Sequence, residues 1–459
     1  METVDVAIIG GGFSGVAAAI ALAEQGRSIR VYEASDGAPP RFAGEFLQPA
    51  GVEVLDRMHV LPAFLERGGL PGLGFSVWSL SGDARALLLY REVPAIGHSG
   101  LYLEHGRMVQ ALRTRAAEAE GVTLEYNCPV EGLLQDSGSG PVVGLRLRDG
   151  REVRARLTVI ADGRFSRFRS ALRIPTRITL HSRTAVLLAP DAEVPDPGAG
   201  HVFLGAFGPI LAYPLSGRRV RFCFDLPPDA PDDLDLVRAR IRAEYAPHVP
   251  GPLRDALHRV LEDREPFPVL PTHSVWTGRC AGPGFVLIGD TAGCSHPLTA
   301  AGLTMALQDV RILQEELAPL NGASDRQAWS SALRRYEVRR YRFSDARECL
   351  TSALYEVFRE SDEAHRLLRE GLFRYWRSGP DARAASLALL AGVDSRVGSF
   401  LKEFASVAAY SAANAMSHRD GERTRTIRGL AGLFRVTAAQ VVRGGLPLIL
   451  PRRFQRVVG

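Results

Sequence analysis

The chain has 459 residues, 46% of them hydrophobic, with 56 basic and 51 acidic side chains; at roughly 150 residues per domain it holds two or three globular units. Its five cysteines (Cys128, Cys223, Cys280, Cys294, Cys349) are scattered without a CxxC pair or a His/Cys cluster, which argues against a disulfide framework and a metal site and fits a reducing cytoplasm. The net charge of +5 does not point to nucleic acid, because Lys402 is the only lysine and no basic patch interleaved with stacking aromatics accompanies a known motif.

The sequence runs at once into VDVAIIG, leaving no room for a basic leader with an apolar segment, and no apolar run approaches the ~18 residues of a membrane span. Val4 to Ile9 reads as a buried parallel strand, Ser14 to Gln25 as a helix closed by Gly26, and Ser28 to Tyr32 as a second strand ending at Glu33, together a βαβ unit. The turn between them is GGGFSG. Gly10 permits a tight turn, Gly12 lets backbone approach a pyrophosphate, and Gly15 lets the helix pack on the sheet with its N-terminus facing the phosphates. Glu33, 23 residues after Gly10, can accept hydrogen bonds from an adenosine ribose. On a strand, a turn and a helix, with an acid at that distance, the motif predicts dinucleotide binding.

Further along, residues Phe75 to Ser99 and Thr176 to Val275 turn to short β-type runs (TAVLLA, HVFLGAFG, ILAYPL, VRFCFDL) broken by Pro and Gly, as expected for a separate antiparallel sheet. SGSGP at Ser137 to Pro141 reads as a hairpin-like turn. Two more strands end in acids beside glycines: Leu157 to Ile160 runs into Ala161, Asp162 and Gly163, and Val286 onward runs into Gly289 and Asp290. After the second comes a loop and the helix LTMALQDVRIL, beginning near Ala301 and Gly302. A cofactor as long as FAD explains both ends: the fingerprint holds the adenosine half, Asp290 the ribityl hydroxyls, and the late helix N-terminus stabilises negative charge on the reduced ring.

The expected architecture is α/β. Residues 1–74, 100–175 and 276–345 make a Rossmann-like FAD-binding domain, 75–99 and 176–275 an inserted antiparallel β-sheet substrate domain, and 346–459 a helical C-terminal region. Ser417 to Gly459 carries nine Arg against Asp420 and Glu422, a net +7, interleaved with GLAGLF, QVV and LPLIL. Two readings stay open: an amphipathic surface lying on anionic lipid, which would place a cytoplasmic protein at the inner face of the membrane, or a solvated helical face packed on the protein.

The segments RFAGEFLQPAGVEVL, EHGRMVQALR, LTVIADGRFSRFRSAL and GDTAGCSHPLTAAGLTMALQDV resemble the squalene epoxidases, within the FAD-dependent monooxygenases of the para-hydroxybenzoate hydroxylase fold. The resemblance covers nearly the whole chain; the GEFLQP and HPLT blocks are specific to this branch. It implies FAD contacts by Phe13, Ser14, Glu33, Arg41, Phe46, Arg107, Asp290 and Leu303, and places Gln48 and Pro297 where flavin meets substrate. It also implies epoxidation of an apolar, squalene-like polyene by O2 through a C4a-hydroperoxyflavin, with NADPH as electron source directly or through a separate reductase. Such chemistry removes no substrate proton, so no general base is required; His296 stands either as a proton group or as a cap on its own loop, and Phe75 and Tyr90 as pocket lining.

There are departures from the family pattern. Ala50, Ala300 and Ala301 stand where glycine is usual, so those backbones are expected to avoid glycine-only conformations. Phe75 follows Gly74 where the animal enzymes have a tyrosine, and their N-terminal membrane anchor is missing. The competing readings are an epoxidase of a polyketide or other prenylated product, a flavin-dependent prenyl reductase, and a non-catalytic flavin- or lipid-binding protein.

Overall fold

Three strands remote in sequence pair in parallel at the centre of the first sheet. Glu2–Ile9 lies between Ile29–Tyr32 and Glu152–Ile160, and Glu152–Ile160 pairs in turn with Phe285–Leu287. Their side chains explain the arrangement: Val6, Ala7, Ile8, Val31, Leu157, Val159, Val286 and Leu287 are all fully inaccessible, as strands covered on both faces must be. Ile9 stands opposite Tyr32 and Ile160, and Ile160 opposite Leu287, so the chain leaves all four strands along one edge. The helix Phe13–Ala23 covers the sheet and packs against the helices His105–Glu118 and Gly302–Leu317.

The structure is a computed structural model and describes residues 2–37, 44–79, 85–136, 140–205, 207–320, 325–359, 362–417 and 431–432. Most of the expected turn at Ser137 to Pro141 and nearly all of the arginine-rich tail lie outside these residues.

A second sheet has seven strands, in the spatial order Val269–Thr277, Thr176–Ala189, Arg219–Leu226, Ile210–Leu215, Ala199–Phe203, Gly74–Trp78 and Arg85–Leu89. Its neighbours are antiparallel except where Ala199–Phe203 meets Gly74–Trp78, the join between an early and a late excursion of the chain. Alternation along Arg219–Leu226 assigns its two faces. Val220, Phe222, Phe224 and Leu226 enter a core covered by the helices Leu234–Arg240 and Gly251–Glu262. Arg221, Cys223 and Asp225 point the other way, towards the first sheet's loops and the helices Arg326–Arg359, Glu363–Arg377 and Pro380–Ala391.

One buried ion pair fastens the second sheet to the rest, and another joins two helices at the Gly289 turn. Glu45 receives a forked contact from Arg221 at 2.9 and 3.0 Å and a third hydrogen bond from the Tyr213 hydroxyl at 2.9 Å, tying the loop before Gln48 to the second sheet. Asp309 meets Arg340 Nε at 2.9 Å while its other oxygen accepts the Gly289 N–H at 2.9 Å. Burial pushes the Asp309 carboxyl up, and the Arg340 guanidinium counters it. No helix among the described residues is long and apolar enough to cross a membrane. Asp309→Ala would leave Arg340 buried without a counter-charge and is expected to cost about 3–5 kcal/mol of stability, read as a lower urea midpoint.

Candidate functional site

The glycine fingerprint behaves as its spacing requires. Gly10 has φ +102°, and a Cβ there would lie 2.6 Å from the Ala161 carbonyl oxygen. One on Gly15 would collide with the Gly10 carbonyl, so only glycine lets the helix begin this close to the turn. At Gly12 a Cβ would meet no protein atom within 4 Å, which leaves open space beside the N-terminus of Phe13–Ala23. Those features fit a pyrophosphate.

Around this turn the polar groups are already ordered. Glu33 Oε2 accepts the Gly11 N–H at 2.8 Å, and its Oε1 accepts the Ser35 N–H and hydroxyl at 3.0 and 2.8 Å. Arg113 donates twice to the Gly11 carbonyl, at 3.0 and 2.9 Å, and lies 4.0 Å from Glu33. No local signal in the sequence marks Arg113, one of several arginines on an ordinary amphipathic helix. Arg107, on the same helix, instead contacts Glu104 at 3.0 Å and the Arg67 carbonyl at 3.0 Å. Arg41 lies outside the described residues.

The late loop meets the fingerprint directly. Gly289 has φ +61°, and any side chain there would collide with Ser14 Oγ. Asp290, next in the chain, pairs with Arg164 at 3.4 Å. The buried Thr291 hydroxyl accepts the Gly163 N–H at 2.8 Å and lies 3.2 Å from Asp162 Oδ1, while Arg169 donates to the Thr291 carbonyl at 3.0 Å. Burial raises the pKa of Asp162 against that hydroxyl's hydrogen bond. Thus Asp162–Gly163 and Gly289–Asp290, far apart in sequence, form one wall.

The helix Gly302–Leu317 begins without a side-chain cap, so its first N–H groups depend on something outside it. A Cβ on Gly302 would meet nothing within 4 Å, and Leu303 lies beside Gly44. Open space and free donors together fit the electron-rich edge of a flavin ring. Just before the helix, the alanine expectation needs a correction. Ala300 occupies the left-handed region (φ 47°, ψ 38°), at about 1–2 kcal/mol. Its N–H bonds the Pro297 carbonyl at 2.8 Å, closing the turn Pro297–Thr299 that imposes this conformation. Ala301, at φ −92°, and Ala50, inside the helix Pro49–Arg57, are unstrained.

Gln48 joins this turn to the second sheet's edge. It is inaccessible to solvent; its Nε2 donates to the Thr299 carbonyl at 2.9 Å, its Oε1 accepts the Tyr90 hydroxyl at 2.5 Å, and its backbone N–H donates to Thr304 Oγ1 at 2.9 Å. Burial raises the Tyr90 pKa far above the usual phenol range, so Tyr90 stays a donor. Phe46 packs between Phe75, edge-on at 5.6 Å, and Tyr102 at 4.4 Å, and Tyr102 stacks on Tyr213 at 5.8 Å. Side chains at Gly72 or Gly100 would strike the Phe46 ring. Pro297 is exposed between the buried His296 and Leu298. Both His296 nitrogens are turned inward: Nδ1 accepts the Leu298 N–H at 3.3 Å, and Nε2 lies 3.3 Å from Ser182 Oγ. Cys294 is pushed up to about 12 by burial, which keeps it an inert thiol. Among the described residues no group of three or more His, Cys, Asp or Glu side chains could hold a metal ion.

The family model for squalene epoxidase matches residues 154–426, more than half of the chain. The chain belongs to the squalene epoxidase family. It is an FAD-dependent monooxygenase. A model of the NAD(P)-binding Rossmann-like domain matches residues 8–44, across the fingerprint. Squalene epoxidase 2, mitochondrial, of Arabidopsis thaliana is 32% identical over 420 residues, covering 90% of this chain and 71% of that protein. Squalene epoxidase erg1 of Schizosaccharomyces pombe is 28% identical over 422 residues, covering 89% and 90%. Among solved structures, p-nitrophenol 4-monooxygenase PnpA from Pseudomonas putida DLL-E4 superposes with a TM-score of 0.70 at 20% identity, over 89% of this chain and 99% of that one. PqsL of Pseudomonas aeruginosa, in complex with 2-aminobenzoylacetate, gives 0.68 at 22% identity, over 78% and 97%. These two share the fold.

Asp290→Ala is expected to weaken FAD retention by about 1.5–3 kcal/mol, the worth of a charge-assisted hydrogen bond. A flavin-fluorescence titration checks it, and unchanged affinity would remove Asp290 from the cofactor site.

Proposed function

We propose that this member of the squalene epoxidase family transfers one oxygen atom of O2 to a carbon–carbon double bond of an apolar, squalene-like polyene, with electrons from NADPH directly or through a separate reductase. The observation that carries this reading is the chemistry around Gln48: aromatic rings and neutral hydrogen-bonding groups, with the nearby ionisable groups already committed. Glu45 is neutralised by Arg221, Tyr90 stays protonated, and both nitrogens of His296 face protein groups. A phenol substrate needs a base to become nucleophilic; an isolated alkene does not.

Reduced FAD supplies the activated oxygen when bound. The chain supplies the setting. The loops at Gly10–Gly15 and Gly289–Asp290 hold the two halves of the cofactor, and the helix starting at Gly302 stabilises negative charge at the ring edge. Phe46, Phe75 and Tyr90 keep water away, and Gln48 orients the junction of cofactor and substrate. In this reading the second sheet is the substrate-binding unit, Arg107 stays an FAD contact, and Arg113 braces the fingerprint through the Gly11 carbonyl. With 18O2, one labelled oxygen is expected in an epoxide, with O2 uptake dependent on the polyene. Gln48→Ala is expected to release more hydrogen peroxide per O2 consumed. Label arriving from water would overturn the transfer from O2, and anaerobic saturation of the double bonds would replace this function with a reductase.

For access to a greasy substrate, we propose that the net +7 tail docks on anionic membrane, an electrostatic contact worth about 1 kcal/mol per arginine near the surface. Deleting Ser417 to Gly459 is expected to reduce binding to phosphatidylserine vesicles while FAD content stays the same. Equal vesicle binding by the truncated and full chains would leave the tail as packed structure.

A further inference from the structure

Asp225 is a buried carboxylate without an arginine or lysine ion pair among the described residues. It stands 6% exposed, on the site-facing side of the strand Arg219–Leu226. A side chain on Gly208 would run into it, so the loop backbone packs directly on the acid. Neither of its oxygens makes a hydrogen bond of ordinary length within the described residues. What it faces is the edge of His296, with Nε2 3.5 Å from Asp225 Oδ1, and the Tyr355 hydroxyl. The His296 ring stacks on Tyr355 at 4.0 Å and 28°, and His181, itself 2.7 Å from Ser274 Oγ, meets it edge-on at 5.8 Å.

The other side of the ring fixes its protonation. Nδ1 accepts the Leu298 N–H, and a nitrogen that accepts an N–H carries no proton. His296 is therefore neutral with its proton on Nε2, aimed at Ser182 and Asp225. The opposite tautomer would set an Nδ1–H against the Leu298 N–H and lose the cap. That cap closes the turn Pro297–Thr299, whose last carbonyl accepts Gln48 Nε2 and whose exit is the left-handed Ala300. Strained backbone of this kind persists only where its surroundings over-determine it.

We propose that Asp225 is a positioning residue of this enzyme: its carboxylate selects the Nε2–H tautomer of His296, and through the Leu298 cap it holds the turn that aims the N-terminus of Gly302–Leu317 at the flavin. Asp225 acts through His296. The inference rests on the reading of Gly302 as the flavin-facing helix start; the tautomer itself does not.

The test uses FAD-loaded enzyme with 15N-labelled histidine, the His296 signals being assigned by their loss in His296→Gln. Wild type should show the Nε2–H tautomer. Asp225→Leu, which fills the site but accepts nothing, should shift the tautomer ratio by roughly tenfold, the equivalent of one hydrogen bond. It should also move the flavin midpoint potential to more negative values and raise peroxide release. Asp225→Asn keeps an acceptor oxygen and should change all three less, in the same direction; if the leucine variant fails to fold, the asparagine variant decides alone. An unchanged tautomer in the folded variants overturns the role of Asp225. A changed tautomer with unchanged potential and coupling overturns the proposal at its other end, the helix reading on which it rests.

Discussion

Ile9 opposite Ile160 and Ile160 opposite Leu287 is the register on which everything else in this molecule depends. Parallel pairing brings the ends of three strands to one edge, and each strand carries a different part of the candidate cofactor site just beyond its last residue: glycines, Asp162–Gly163, and Gly289–Asp290. A slip of one residue would exchange side chains between the two covered faces and misalign the loops, so the packing that folds the sheet also sets where those loops meet. Ser14 touching Gly289 is the local result, with no side chain allowed between them.

Polar contacts of high directionality fix how the elements meet. A buried ion pair is weak grounds for stability, since replacing it with well-packed apolar groups is often neutral or better. Glu45–Arg221 and Asp309–Arg340 make more sense as devices that specify one arrangement. The first fixes the residues leading to Gln48 against the second sheet, and the second fixes the Gly289 turn between two helices. In both, the carboxylate's remaining capacity is used on a neighbouring hydroxyl or backbone N–H that belongs to the site. Gln48 extends the same logic without charge, its amide spanning Tyr90 and Thr299.

Much of this was legible in the sequence because the relevant signals are local. The βαβ unit, the fingerprint glycines, the Gly-Asp turn after the late strand and the helix beyond it are each written in consecutive residues, and the strand composition of 176–275 announced a second sheet. What remained hidden are pairings between residues far apart in the chain: Glu45 with Arg221, Arg113 with the Gly11 carbonyl, Asp225 with His296. An arginine on a helix or an acid on a strand looks the same whether it faces water or a buried partner. Ala300 shows the complementary failure. Propensity puts glycine at a left-handed position, but the closed turn Pro297–Thr299 and its histidine cap impose that conformation on an alanine, and neither contact can be seen in the residue itself.

The arrival order of the central strands has a cost during synthesis. Glu2–Ile9 leaves the ribosome first, whereas Phe285–Leu287, which completes its layer through Glu152–Ile160, is made when more than half of the chain has already emerged. At about 5–20 residues per second the first strand waits roughly 15–55 seconds for that layer to close. During this interval the apolar face of Phe13–Ala23 has no late helix to pack against, and the second sheet still lacks its outer strand Val269–Thr277. A nascent chain of this design exposes a wide apolar surface until late, so its yield in a cell depends on chaperone capacity and elongation rate as much as on the stability of the finished fold.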